Sequence, residues 1–292
     1  MQYICITVGV PRVERQAEPR GVWPIVMQMR YITRMRTTHT ISLAAALTLA
    51  VLLSAGPALA AETQVAVAAN FTEPAKEIAT AFKAATGHTA TLSFGSSGQF
   101  YSQMAHGAPY EVFLSADAER PAKAEQDGLG VAGTRFTYAI GRLVLYSKTP
   151  GLVDGKGAVL GTARFNKLAI ADPATAPYGA AAVQTLQRLG VYAAVKPRVV
   201  IGSSITQAYQ FVETGAAELG FVALSQVINV PGGSRWVAPA ADHAPINQQA
   251  ILLDTGQANV AAKAFLTFLK GPQAVAIIKK YGYEVPAGSS GK

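Results

Sequence analysis

The stretch Ser93-Phe94-Gly95-Ser96-Ser97-Gly98-Gln99-Phe100 sets two hydroxyls between two glycines, with no charge beside them. Three other segments share its character: Ala69-Asn70-Phe71-Thr72, Thr175-Ala176-Pro177-Tyr178-Gly179 and Gly202-Ser203-Ser204-Ile205-Thr206. Each follows an apolar run and precedes a helical pattern, so each reads as a helix start. The first backbone N–H groups of a helix have no partner inside it and carry partial positive charge. Small residues let an anion approach them closely. The chemistry on offer is capture of an anion by neutral donors. Taken singly, a Ser or Asn at such a place is a common N-cap; the four together, two in each half of the chain, point to a small-ligand binder.

Other chemistry finds less support. Asp117 and Asp172 follow strands and read as turn or cap residues. Gly-Ser-Ser-Gly lacks the order of a nucleophile elbow, and no Ser-His-Asp arrangement or phosphate-loop motif is present, so an enzyme is not expected. His88, His106 and His243 are scattered without metal-ligand spacing, and Tyr281 and Tyr283 read as packing residues at a helix end. Cys5, the single cysteine, lies far upstream of these motifs, which leaves them no disulfide or thiolate chemistry.

The elements that must position the four segments alternate. Thr63–Ala69 reads as a strand, followed by a helix to about Thr86 with Ile78 and Phe82 on one face. Strands are expected at Thr89–Phe94, Tyr110–Ser115, Arg142–Tyr146, Leu168–Ile170, Arg198–Ile201, Leu219–Ala223 and Asn247–Leu253. Helices are expected after Ser97 and over Ala118–Gln126, Tyr178–Leu189, Ser204–Glu213, Asn259–Leu269 and Pro272–Tyr281. Strands alternating with helices predict an α/β fold of β-α-β units around mostly parallel sheets. No internal sequence repeat is visible. Two crossings between halves, near Thr137–Arg142 and Trp236–Gln248, predict two lobes with a ligand cleft between them. Lobe 1 is then residues 61–140 plus 245–292, and lobe 2 residues 141–244.

The N-terminal residues belong to neither lobe. Ile41–Ser54 is a short apolar run, preceded by Arg36 and followed by Ala58-Leu59-Ala60. A basic start, an apolar middle shorter than a membrane span and an A-x-A end predict a signal peptide over residues 35–60, cleaved near Ala60. Residues 1–34 then read as an upstream extension, with Met35 the favoured start. The whole chain carries a net charge of +8, but six arginines and two glutamates lie in residues 1–60, which leaves about +4 for the rest. With no Lys/Arg run longer than two after residue 60, nucleic acid is not an expected partner. The remaining mild positive field suits a small anion.

The segments VAVAANFTEPAKEIATAFKAATG, SFGSSGQFYSQMAHGAPYEVFLSAD, IADPATAPYGAAAVQTLQRLG, ETGAAELGFVALSQV and FLTFLKGPQAVAIIKKYGY, spread over about Gln64 to Glu284, resemble the periplasmic molybdate-binding proteins. These are the substrate-binding components of molybdate ABC importers. The resemblance implies a two-lobed, type II periplasmic binding protein that is monomeric and exported to the periplasm. It implies molybdate or tungstate as ligand, no cofactor, and ABC permease subunits as partners. Carried over motif by motif, it places the oxyanion on Asn70, Ser97, Tyr178 and Ile205, so that molybdenum is held only through its oxygens. Ser96 and Ser204 then orient or cap. Where some members have a ligand Tyr, this chain has Ala223; the resemblance leaves open whether the Tyr178 hydroxyl serves instead or the cage is one donor short. Another oxyanion, such as sulfate, is the alternative ligand.

Overall fold

The computed structural model describes residues 60–286. The upstream extension over 1–34 and all but the last residue of the leader over 35–60 lie outside the described residues.

Strand β1 (Glu62–Ala68) runs through a 3-10 turn (Ala69–Phe71) into helix α1 (Thr72–Thr86). There follow β2 (Thr89–Gly95), α2 (Ser97–Ala105), β3 (Val112–Leu114), α3 (Glu119–Gln126) and β4 (Phe136–Gly141). The second series is β5 (Leu143–Ser147), β6 (Leu168–Ala171), α4 (Pro177–Arg188), α5 (Tyr192–Val195), β7 (Val199–Gly202), α6 (Ile205–Glu213), β8 (Leu219–Ala223), α7 (Leu224–Val227) and β9 (Ser234–Val237). The chain then returns through β10 (Ile246–Leu252), α8 (Val260–Lys270) and α9 (Pro272–Lys280).

Two five-stranded sheets result, in the orders β2-β1-β3-β10-β4 and β7-β6-β8-β5-β9. In the first, β1 is parallel to β2 and β3, while β10 is antiparallel to both β3 and β4. In the second, β6 is parallel to β7 and β8, while β5 is antiparallel to both β8 and β9. The sheets are therefore mixed, with one reversed strand in each. The same layout occurs twice although the sequence shows no repeat, because what recurs is strand direction and helix placement rather than residue identity. Each sheet anchors one lobe of a two-lobed α/β fold.

Two strands escape the sequence reading. Phe136–Gly141 reads as a connector and is β4; Ser234–Val237 lies near the second expected crossing and is β9. Both end their sheet orders; β9 is paired on one side only, and β4 adds only a single bridge, Ile140 with Glu284, on its outer side. Their mixed burial blunts the alternation that marks a strand. The first crossing is consequently a single residue, Arg142, between β4 and β5.

Helix α1 shows how the sequence fixes its packing. Ile78 and Phe82 are fully buried, and Phe82 meets Phe265 of α8 edge-on at 5.3 Å. Gly87 ends the helix in the left-handed region (φ 74°), its N–H bonded to Lys83 O at 2.9 Å. A Cβ there would meet no atom within 4 Å, so the cost of Gly87→Ala is conformational alone. It is expected to be about 1–2 kcal/mol in urea unfolding, with ligand binding untouched.

Candidate functional site

The segments that follow the carboxyl ends of β1, β2, β6 and β7 converge between the two sheets, and each runs into the start of a helix. The groups leaving those strands line a small cavity, with about 10 Å³ open to the centre of a water molecule. Its lining is Ala68, Ala69, Asn70, Gly95, Ser96, Ser97, Ala116, Ala176, Pro177, Tyr178 and Ile205. Asn70 and Ser97 come from the first lobe, Tyr178 and Ile205 from the second, so the structure brings all four sequence-predicted residues to one place. No lining residue carries a charged side chain.

The sequence dictates what each turn presents. Ser96 caps α2 in a capping box with Gln99: its Oγ accepts from Gln99 N–H and its own N–H donates to Gln99 Oε1, both at 3.4 Å. Ser204 caps α6, its Oγ accepting from Gln207 N–H at 3.3 Å, and it does not line the cavity. Pro177 opens α4 with the φ a first turn needs and no N–H of its own. The backbone N–H groups of Asn70, Ser97, Tyr178 and Ile205 have no partner among the described residues. The Ser97 hydroxyl is fully buried, and its oxygen accepts from Ala116 N–H at 2.9 Å. Its hydrogen has no protein acceptor among the described residues, so Ser97 offers two donors.

Three side-chain readings need correction or addition. The phenol oxygen of Tyr178 accepts from Gln248 Nε2 at 3.3 Å and packs against Gly141, where a Cβ would lie 2.2 Å from it. Ala223 is buried at the end of β8 and is not part of the lining. The Asn70 amide is directed behind the cavity, Nδ2 donating to Gln248 Oε1 at 2.8 Å and to Tyr283 Oη at 3.0 Å. What Asn70 leaves unpartnered is its main-chain N–H. Tyr283 packs in the core as the sequence suggests, edge-on to Phe71, and its hydroxyl is also a hydrogen-bonding group. With Gln248, Tyr138 and Ser225 it forms a polar layer that the sequence reading missed. Gln248 sits among Asn247 and Gln249 in a return strand whose partners are invisible in sequence. Tyr283 follows a helix end.

Burial pushes all three tyrosines of this layer up: Tyr138 and Tyr178 well above the ordinary phenol range, Tyr283 to about 12. The layer is therefore neutral at physiological pH. A phenol whose pKa is raised by folding binds its proton more tightly in the folded state. Its contribution to stability is complete below the unfolded value near 10 and is lost as pH climbs from there toward 12. Urea midpoints are expected to be flat in this respect from pH 7 to about 9.5 and to fall above about 10, less steeply in Tyr283→Phe.

The lobes meet at the front of the cavity as well. Gly98 N–H donates to Thr175 O at 2.9 Å. Arg120, paired with Asp117, donates from Nη2 to Ala174 O at 3.0 Å. Among the described residues no group of three or more His, Cys, Asp or Glu side chains could hold a metal ion.

The two-lobed fold with its cavity between the sheets fits one class of protein: residues 63–284 match the bacterial extracellular solute-binding protein family. The chain belongs to that family and is a binding protein rather than an enzyme. Within it the chain stands with the periplasmic molybdate-binding proteins. It is 59% identical over 227 residues to the molybdate-binding protein ModA of Rhodobacter capsulatus, covering 78% of this chain and 90% of that one. It is 56% identical over 234 residues to ModA of Azotobacter vinelandii, covering 79% and 93%. The solved periplasmic molybdate-binding protein of Azotobacter vinelandii superposes with a TM-score of 0.75 at 44% identity, covering 77% of this chain and 99% of that structure.

Proposed function

We propose that this protein captures molybdate, and tungstate by the same contacts, in the cavity between its lobes and delivers it to an ABC importer from the periplasm. The observation that carries the reading is the lining itself. Four helical turns, two from each lobe, line a space with no charged side chain, and the N–H groups of Asn70, Ser97, Tyr178 and Ile205 there have no partner among the described residues. The shell is the N–H of Asn70, Ser97, Tyr178 and Ile205 with the Ser97 hydroxyl, while Ser96 and Ser204 set the turns by capping. The lobes, residues 61–140 with 245–292 and residues 141–244, close about the crossings beside Arg142 and before β10. The monomer is the working unit.

Neutral donors suit a doubly charged tetrahedral oxyanion. They spread its charge over several charge-assisted bonds, whereas a buried Lys or Arg would itself need desolvation at several kcal/mol. A set of fixed donors also discriminates by protonation. Hydrogen phosphate brings an O–H that would meet another donor, leaving an unpaired buried group at about 1–3 kcal/mol. Sulfate has the right charge and shorter bonds, so its exclusion rests on the size of the cage.

Calorimetric titration of residues 61–292, freed of anion, with molybdate, tungstate, sulfate and phosphate tests the reading. Tight binding of the first two and silence from the others is the expected result. Tight sulfate binding would keep the cage and reassign the ligand, and no heat with any oxyanion would end the proposal.

A further inference from the structure

Behind the cavity the carbonyl of Asn70 receives two hydroxyls, one from each lobe. Ser225 Oγ of α7 donates to it at 2.8 Å, and Tyr283 Oη, from the tail after α9, at 2.7 Å. The two hydroxyls are themselves 2.9 Å apart. Tyr283 Oη also accepts from Asn70 Nδ2, and the Asn70 amide is held a second time by Gln248 Oε1. Gln248 reaches on to the other lobe through Tyr178 Oη at 3.3 Å, and Tyr138 Oη donates to its Oε1 at 3.1 Å. Phe71 wedges between the edges of Tyr138 and Tyr283, at 4.9 and 5.3 Å. The turn that presents the Asn70 N–H is thus fastened from behind on its carbonyl, its amide and the ring of the next residue.

We infer that Ser225 and Tyr283 are positioning residues for the bound anion, fastening the Asn70 turn with one hydroxyl from each lobe so that lobe closure and ligand retention become one event. The inference rests on the reading of the cavity proposed above. Opening the lobes must break Ser225 to Asn70, Ser225 to Tyr283 and Gln248 to Tyr178. Closing remakes them, and neither Ser225 nor Tyr283 lines the ligand cavity. Ser225 is nine-tenths buried and Tyr283 more so, which makes their bonds to the Asn70 carbonyl hard for water to replace. Groups of this kind act on the closed state, so their loss falls on release rather than capture.

Stopped-flow kinetics of molybdate with Ser225→Ala, Ser225→Thr, Tyr283→Phe and the double variant Ser225→Ala/Tyr283→Phe test this. Each single hydroxyl loss is expected to raise the dissociation rate constant roughly tenfold, with the association rate constant within about twofold of wild type. The threonine variant restores slow release. The double variant falls short of the product of the two singles, because both hydroxyls serve one carbonyl. A purely structural role would lower melting temperature and leave the dissociation rate constant alone. That outcome, or strictly multiplicative effects in the double variant, overturns the inference. Failure of the wild-type protein to bind molybdate would instead strike the functional reading beneath it.

Discussion

Gly98→Val is expected to weaken molybdate binding by more than a hundredfold while the protein stays folded. A Cβ on Gly98 would lie 2.9 Å from the Thr175 Cα and 3.0 Å from its oxygen, both backbone atoms of the opposite lobe. Arg120 Nε, at 3.1 Å, ends a side chain that can turn aside, but the Thr175 backbone cannot move without the start of α4. The strain is relieved most simply by holding the lobes apart. That also breaks the Gly98 N–H bond to Thr175 O and withdraws the N–H groups of Tyr178 and Ile205 from the anion. Two charge-assisted donors at about 1.5–3 kcal/mol each amount to roughly 3–6 kcal/mol, or about two to four decades of affinity. The contrast is Gly179, whose Cβ would meet the Ala171 carbonyl oxygen at 2.2 Å within one lobe, so that its substitution damages folding. Calorimetry measures the affinity, and small-angle scattering reports whether molybdate still compacts the variant. Affinity within fivefold of wild type would mean that closure does not bring Gly98 against Thr175.

The parts legible in sequence are those whose cause is local. Ser96 and Ser204 announce helix starts because capping needs only a hydroxyl and the next turn. Pro177 announces another because it needs no N–H there. The four turns that meet at the cavity could be found for the same reason, since each is a short phrase after a strand. The layer behind them could not. Gln248 is 178 residues from Asn70, and Tyr283 is 213 residues from it. No pattern within either segment says that one amide and one phenol will close on the same turn. The Asn70 amide shows how this changes the chemistry: by residue type it is a donor available to an anion, but both its hydrogens serve Gln248 and Tyr283. Ala223 makes the complementary point. A missing donor suggests a substitute nearby, and Tyr178 has the right group, yet close packing against Gly141 carries its hydroxyl to Gln248. The outer strands β4 and β9 are hidden for a different reason, since their mixed burial leaves only a weak alternation.

Ser97→Ala separates affinity from stability at one position. The Ser97 hydroxyl stands between two needs: its oxygen satisfies the buried N–H of Ala116, and its hydrogen is left for the cavity. Removing it deletes a donor to a doubly charged ligand, an expected loss of about 1.5–3 kcal/mol, or roughly ten- to 150-fold in dissociation constant. It also strands the Ala116 N–H, but in the free and loaded protein alike. That second cost, about 1–3 kcal/mol, therefore appears in unfolding and cancels from binding. The main-chain N–H of residue 97 survives the change, so binding is weakened rather than abolished, and discrimination against hydrogen phosphate persists because the remaining cage is still all donors. Molybdate calorimetry beside urea unfolding reads the two costs separately. Lowered stability with unchanged affinity would show that the hydroxyl serves Ala116 alone and lies outside the ligand shell; the expected result, a fall in both, requires the anion to be the acceptor that the protein does not supply.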